Sequence, residues 1–152
     1  MLTRYRQSVS LSLISTDLPL RYVVQTVATL EQKDRENFHL LITEPLRKTP
    51  HPPTSPSLLW LEISPYRIIM TRQAENQVCY RHFWERGVYG TSRYWLGNGF
   101  FQGSENILQL RNFTRQLTLV SYPLLQRLQV EYELWSQNVQ LGRYLLKLEI
   151  HQ

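Results

Sequence analysis

Strict alternation of apolar and polar residues over the last quarter of the chain constrains the fold more than any other feature. Leu128, Val130, Tyr132 and Leu134 fall on one face, and Arg127, Gln129, Glu131 and Glu133 on the other. Ser136-Gln137-Asn138 then supplies turn chemistry, after which Tyr144, Leu146, Leu148 and Ile150 alternate with Lys147, Glu149 and His151. Successive side chains of a strand point to opposite faces, so a period of two is the mark of a half-buried strand. Two such runs around a short polar turn predict a β-hairpin.

Upstream, candidate strands recur every ten residues or so, the spacing of a sandwich or barrel. Ser8 to Ile14, Arg21 to Leu30, Phe38 to Thr43, Leu58 to Ile63, Tyr66 to Thr71 and Gln77 to Glu85 are the first six. Arg93 to Leu96 and Phe100-Phe101 flank Gly97-Asn98-Gly99, residue types that tolerate the positive φ of a tight turn. Ile107 to Phe113 and Gln116 to Tyr122 follow, with a turn expected over Asn112 to Arg115. No run has the length and period of a convincing helix, although Leu18 to Leu30 or Pro123 to Leu128 has room for one turn. The segment 45–57 carries five prolines and cannot lie inside a sheet, so it is expected as an exposed, extended loop. The expectation is one all-β domain over residues 1–152, a single antiparallel meander closed or nearly closed into a barrel of about 8–10 strands.

Composition narrows the class. With 152 residues, 42% hydrophobic and 19% charged, the chain can bury its own core. No apolar run approaches the ~18 residues of a membrane helix. The basic residues of Met1 to Gln7 are not followed by an apolar stretch, and a cytoplasmic protein is expected. Cys79 stands alone, which excludes an internal disulfide or a multi-thiolate metal site. The four histidines, His39, His51, His82 and His151, have no metal-ligand spacing, so no metal site is expected. The glycine-rich and catalytic signatures of NTPases, ordinary hydrolases and zinc proteases are absent from the sequence.

The net charge of +5 is mostly arginine: 14 of the 17 basic residues. Arginine's planar fork pairs with carboxylates and phosphates and stacks on rings. The densest basic and aromatic stretch runs from Tyr80 to Phe101. There Tyr80, His82 and Trp84 would share a face; if it faces the barrel interior, three polar-tipped rings stand where leucine, isoleucine and valine are usual. Such a lining suits a flat conjugated molecule with carboxylates.

The same segment resembles the lipocalin-type phycobiliprotein chromophore lyases. Arg86-Gly87-Val88-Tyr89 followed by Ser92-Arg93-Tyr94 is similar to that family's arginine–glycine–tyrosine and arginine–tyrosine run. Pro123 followed by Arg127-Leu128-Gln129-Val130 resembles its proline before an arginine-rich strand. The likeness lies in the C-terminal half; the family's opening glycine and tryptophan before a serine–arginine–threonine strand is not present. It implies a lipocalin-like barrel, an open-chain tetrapyrrole (bilin) as ligand, a phycobiliprotein client as partner, and lyase or chaperone activity. It also implies Arg86, Arg93 and Arg127 as partners of ligand carboxylates.

Three functions follow as expectations. The first is a binder of a carboxylate-bearing conjugated ligand in a cavity open at one end, lined by Tyr80, His82, Trp84, Tyr94 and some of Tyr132, Tyr144 and Leu134, with Arg86, Arg93 and Arg127 as counter-charges. The second is a non-catalytic interaction or assembly factor using an aromatic and arginine surface. The third, single-stranded nucleic-acid binding, is the least favoured, because lysines are few and the arginines scattered. An unpaired final strand would permit a homodimer.

Overall fold

The computed structural model describes residues 3–45, 56–75, 77–96, 107–122 and 124–151. These form ten strands: β1 (Thr3–Ser15), β2 (Arg21–Gln32), β3 (Phe38–Thr43), β4 (Leu58–Ile63), β5 (Arg67–Ala74), β6 (Gln77–Glu85), β7 (Tyr89–Trp95), β8 (Ile107–Val120), β9 (Arg127–Ser136) and β10 (Val139–His151). Each pairs antiparallel with its neighbours in sequence, and β1 pairs with β10, closing the barrel. No helix occurs among the described residues.

The alternation read from sequence is the inside–outside pattern of this barrel. Val9, Leu11, Leu40, Leu61, Ile68, Leu128, Val130, Leu146 and Leu148 are all buried in the core. Fully burying an aliphatic side chain of this kind contributes about 1.5–3 kcal/mol. The hairpin expected at the C-terminal end is β9–β10, in register from Leu128↔Leu148 to Tyr132↔Tyr144. Its turn places Gln137 at φ 53°, in the left-handed region.

Three expectations are corrected. Residues 112–115 are not a turn: β8 is continuous from Ile107 to Val120, with a bulge between Thr114 and Gln116. Asn112 and Thr114 look like turn residues in the sequence, yet both are buried inside the barrel. The final strand is not unpaired, since β10 is bonded to β9 and β1, so it has no free edge for a homodimer. The turns suggested within 18–30 and 123–128 are not helical among the described residues. Most of the proline-rich segment, the Gly97-Asn98-Gly99 turn, Phe100-Phe101 and Pro123 lie outside the described residues.

The meander gives the barrel two unlike ends. At the lower end, the β8–β9 connection tucks Leu125 inward, almost wholly buried. Hydrogen bonds from Gln126 N to Val120 O (2.8 Å) and from Ile150 N to Gln126 O (2.9 Å) hold it there. The β6–β7 turn folds onto β8 at the same end, with Gly87 N donating to Thr114 O (3.0 Å). Gly87 has φ +73°, a conformation glycine adopts without a Cβ penalty. The upper end carries the β1–β2, β3–β4, β5–β6, β7–β8 and β9–β10 connections, and here the core turns from aliphatic to phenolic.

Candidate functional site

Strand β6 sets the site. Tyr80, His82 and Trp84 alternate inward along it, so they rise in a column from near the lower end to the upper mouth. Cross-strand pairing adds Tyr94 beside Tyr80, and Tyr144 beside Tyr132. Six rings from four strands thereby become one cluster. His82 stacks on Trp84 with centroids 4.9 Å apart and planes 8° from parallel. Tyr132 lies 4.8 Å from Trp84 and 5.4 Å from Tyr144. Tyr80 lies 5.1 Å from His82, and Tyr94 5.5 Å from it. All six aromatic positions expected from the sequence meet here.

Burial is graded along the column. Trp84, Tyr132 and His82 are buried, whereas Tyr80, Tyr94 and Tyr144 are half-buried toward the mouth. Burial pushes the Tyr80 and Tyr132 phenols well above the ordinary tyrosine range, and that of Tyr94 up to about 12. These phenols are therefore hydrogen-bonding groups and not anions at neutral pH. Burial also lowers His82 from 6.5 to about 3, which keeps the imidazole neutral.

Behind the rings runs a short polar chain that sequence reasoning missed. Asn112 Nδ2 donates to Ser92 Oγ (2.8 Å), and Ser92 Oγ lies 2.7 Å from His82 Nδ1. The serine hydroxyl thus links the amide to the imidazole, and the pair of bonds fixes the orientation of the ring. Three further buried atoms, Trp84 Nε1, Asn112 Oδ1 and Thr114 Oγ1, have no hydrogen-bond partner among the described residues. An unpartnered buried polar atom costs roughly 1–3 kcal/mol, so this half of the interior is not arranged for stability alone. Ser92 was legible as the residue two before Tyr94 on the same face; Asn112 and Thr114 were disguised by their turn-forming character.

The expected arginines are elsewhere. Arg93 sits between inward-facing Ser92 and Tyr94, so alternation turns it to the outer surface. Arg127 opens β9 at the lower end and is exposed. Arg86 is also exposed, and its guanidinium donates to the Leu117 carbonyl (2.5 Å), clamping the β6–β7 turn to β8. The inward register position on β5 belongs instead to Arg72, which pairs with Leu59 and Tyr80. Arg72 donates to Glu44 Oε1 (3.1 Å) and to Ser57 Oγ (3.1 Å) at the upper end. Burial would lower the guanidinium pKa, but the Glu44 carboxylate outweighs it and raises it. No cluster of three or more metal-ligating side chains occurs among the described residues. No helix there is long and apolar enough to cross a membrane.

No protein-family model matches the chain, and no curated protein matches it. Among solved structures, it is similar to the crystal structure of ywiB protein from Bacillus subtilis. That likeness has a TM-score of 0.55 at 10% sequence identity, over 99% of this chain and 94% of that one. At such low identity it speaks for the shared fold alone.

Proposed function

We propose that the barrel binds a flat, conjugated, carboxylate-bearing small molecule, which enters at the upper end against Tyr80, Tyr94 and Tyr144. The observation that carries this reading is the six-ring cluster, a polar aromatic column in a position where a purely structural barrel would be aliphatic. Rings of this kind stack on a conjugated body, and the phenol hydroxyls orient it. Arg72, and not Arg86, Arg93 or Arg127, is the cation that would meet a ligand carboxylate. Because the lower half of the column is sealed by Trp84 and Tyr132, the guest occupies the upper half.

An open-chain tetrapyrrole has this chemistry, and the resemblance to the chromophore lyases makes it the first probe. A chaperone role requires this binding alone; lyase activity would add transfer to a cysteine of a phycobiliprotein client. The test is titration of biliverdin with the purified protein. Binding should intensify and shift the pigment's long-wavelength absorption and quench tryptophan emission. A pigment spectrum that stays unchanged in large excess of protein sinks the reading.

A further inference from the structure

The outer wall carries a second, independent feature. Cross-strand register aligns Trp60 with Thr71, Thr71 with Arg81, and Arg81 with Arg93. These four residues thus form one outward row across β4 to β7, with strands about 4.8 Å apart. Arg93 pairs with Gln109 on β8, and Arg111 stands two residues farther along that strand on the same face. Arginines far apart in the sequence are therefore neighbours on the surface.

Two observations show that this row is unfinished. Arg81 and Arg93 face each other directly, a like-charge pair that destabilises a sheet. Yet none of the ion pairs formed among the described residues involves Arg81, Arg93 or Arg111. Arg81 is held by Thr71 Oγ1 (3.0 Å), and Arg111 donates to the Gln137 carbonyl (2.8 Å) and lies over the Tyr89 ring, 4.9 Å from its centroid, so neither has a carboxylate partner. Next to the row is a groove of about 380 Å³ lined by Leu41, Leu58, Val78 and Trp60, together with Arg81 and the polar side chains of Glu62, Thr71 and Gln73. Trp60 is 50% exposed, high for an indole.

We infer that this face binds single-stranded nucleic acid, its phosphates following Arg81, Arg93 and Arg111 and one base entering the groove against Trp60. Charge complementarity selects an anionic partner. The ring-walled groove beside the arginines selects one that alternates negative charge with flat apolar rings, as a polynucleotide does and an acidic peptide does not. Nothing in this inference depends on the barrel interior.

The experiment is fluorescence anisotropy of a labelled oligo-dT with the full chain at low ionic strength. Saturable binding is expected, with affinity falling on a log–log salt plot with a slope of about −2, as for three phosphates on a single strand. Arg93→Glu, an exposed position that should leave the fold intact by circular dichroism, should weaken binding about tenfold or more and flatten that slope. Trp60→Ala should weaken it about fivefold or more with the slope unchanged. Absence of binding at low salt overturns the proposal, as does binding indifferent to Arg93→Glu. Capture by phosphatidylserine vesicles without oligonucleotide binding overturns it equally.

Discussion

The imidazole of His82 lies flat on the indole of Trp84, 4.9 Å between centroids, and its Nδ1 is turned to the Ser92 hydroxyl. Stacked and buried in this way, the ring has no room for the water that a charged imidazolium would need. Its pKa falls to about 3, against 6.5 in the unfolded chain. Below pH 6.5 the unfolded state therefore binds a proton that the folded state refuses. Stability is full above 6.5 and is lost as pH falls toward 3. Between pH 6 and 5 the loss should be about 1 kcal/mol. Urea denaturation at those two pH values measures it, and His82→Gln should remove this dependence.

Thr114 offers a separation of stability from function. Its hydroxyl is buried without a partner, so Thr114→Val keeps the shape and discards the desolvated oxygen. The free protein should become more stable by about 1 kcal/mol, read as a higher thermal midpoint. Because Thr114 lies at the lower end, beyond the seal that Trp84 and Tyr132 make, affinity for a guest at the upper mouth should be unaltered in the same variant. A fall in affinity would place the guest deeper in the barrel than the upper half.

Gly90 sits where β7 comes close to the backbone of β6. A Cβ there would collide with the Phe83 carbonyl oxygen and press on Asn112 Oδ1 at 2.9 Å. The obstacle is backbone, which cannot swing aside as a side chain can. Gly90→Ala should thus destabilise the barrel by roughly 1–3 kcal/mol, in the manner of an overpacked core. Chemical denaturation provides the number.

At the mouth, Arg72→Gln should weaken binding of a carboxylate ligand and leave its esterified analogue nearly unaffected. Parallel titrations of the two ligands against both proteins give the comparison. An equal loss for acid and ester would show that Arg72 acts by shaping the upper end, not by its charge.

The fold was largely legible because one rule, alternation, governs every strand of a closed barrel. It put Tyr80, His82 and Trp84 on one face of β6, and Tyr132 and Tyr144 on the apolar faces of β9 and β10, five of the six rings; the sixth, Tyr94, lies on β7. The rule fails where it is locally broken. The bulge after Thr114 interrupts the period of β8, and inward Asn112 and Thr114 mimic a turn, so one strand was read as two. The arginines were misjudged for a different reason. Arg93 was chosen by its place in a short motif, although its own alternation with Ser92 and Tyr94 puts it outside. The importance of Arg72 is set by Glu44 and Ser57, residues from before and after the β3–β4 connection, a proximity that no local pattern encodes.

The seam between β1 and β10 brings Ser10 within 2.6 Å of His151, residues 141 positions apart. Joining them closes a loop of nearly the whole described chain, a non-local contact of the kind that slows folding to milliseconds or longer. Until that moment both strands present bare hydrogen-bonding edges to any other nascent copy. Aggregation during synthesis, more than loss of the finished barrel, is thus the hazard for any variant that delays this last step.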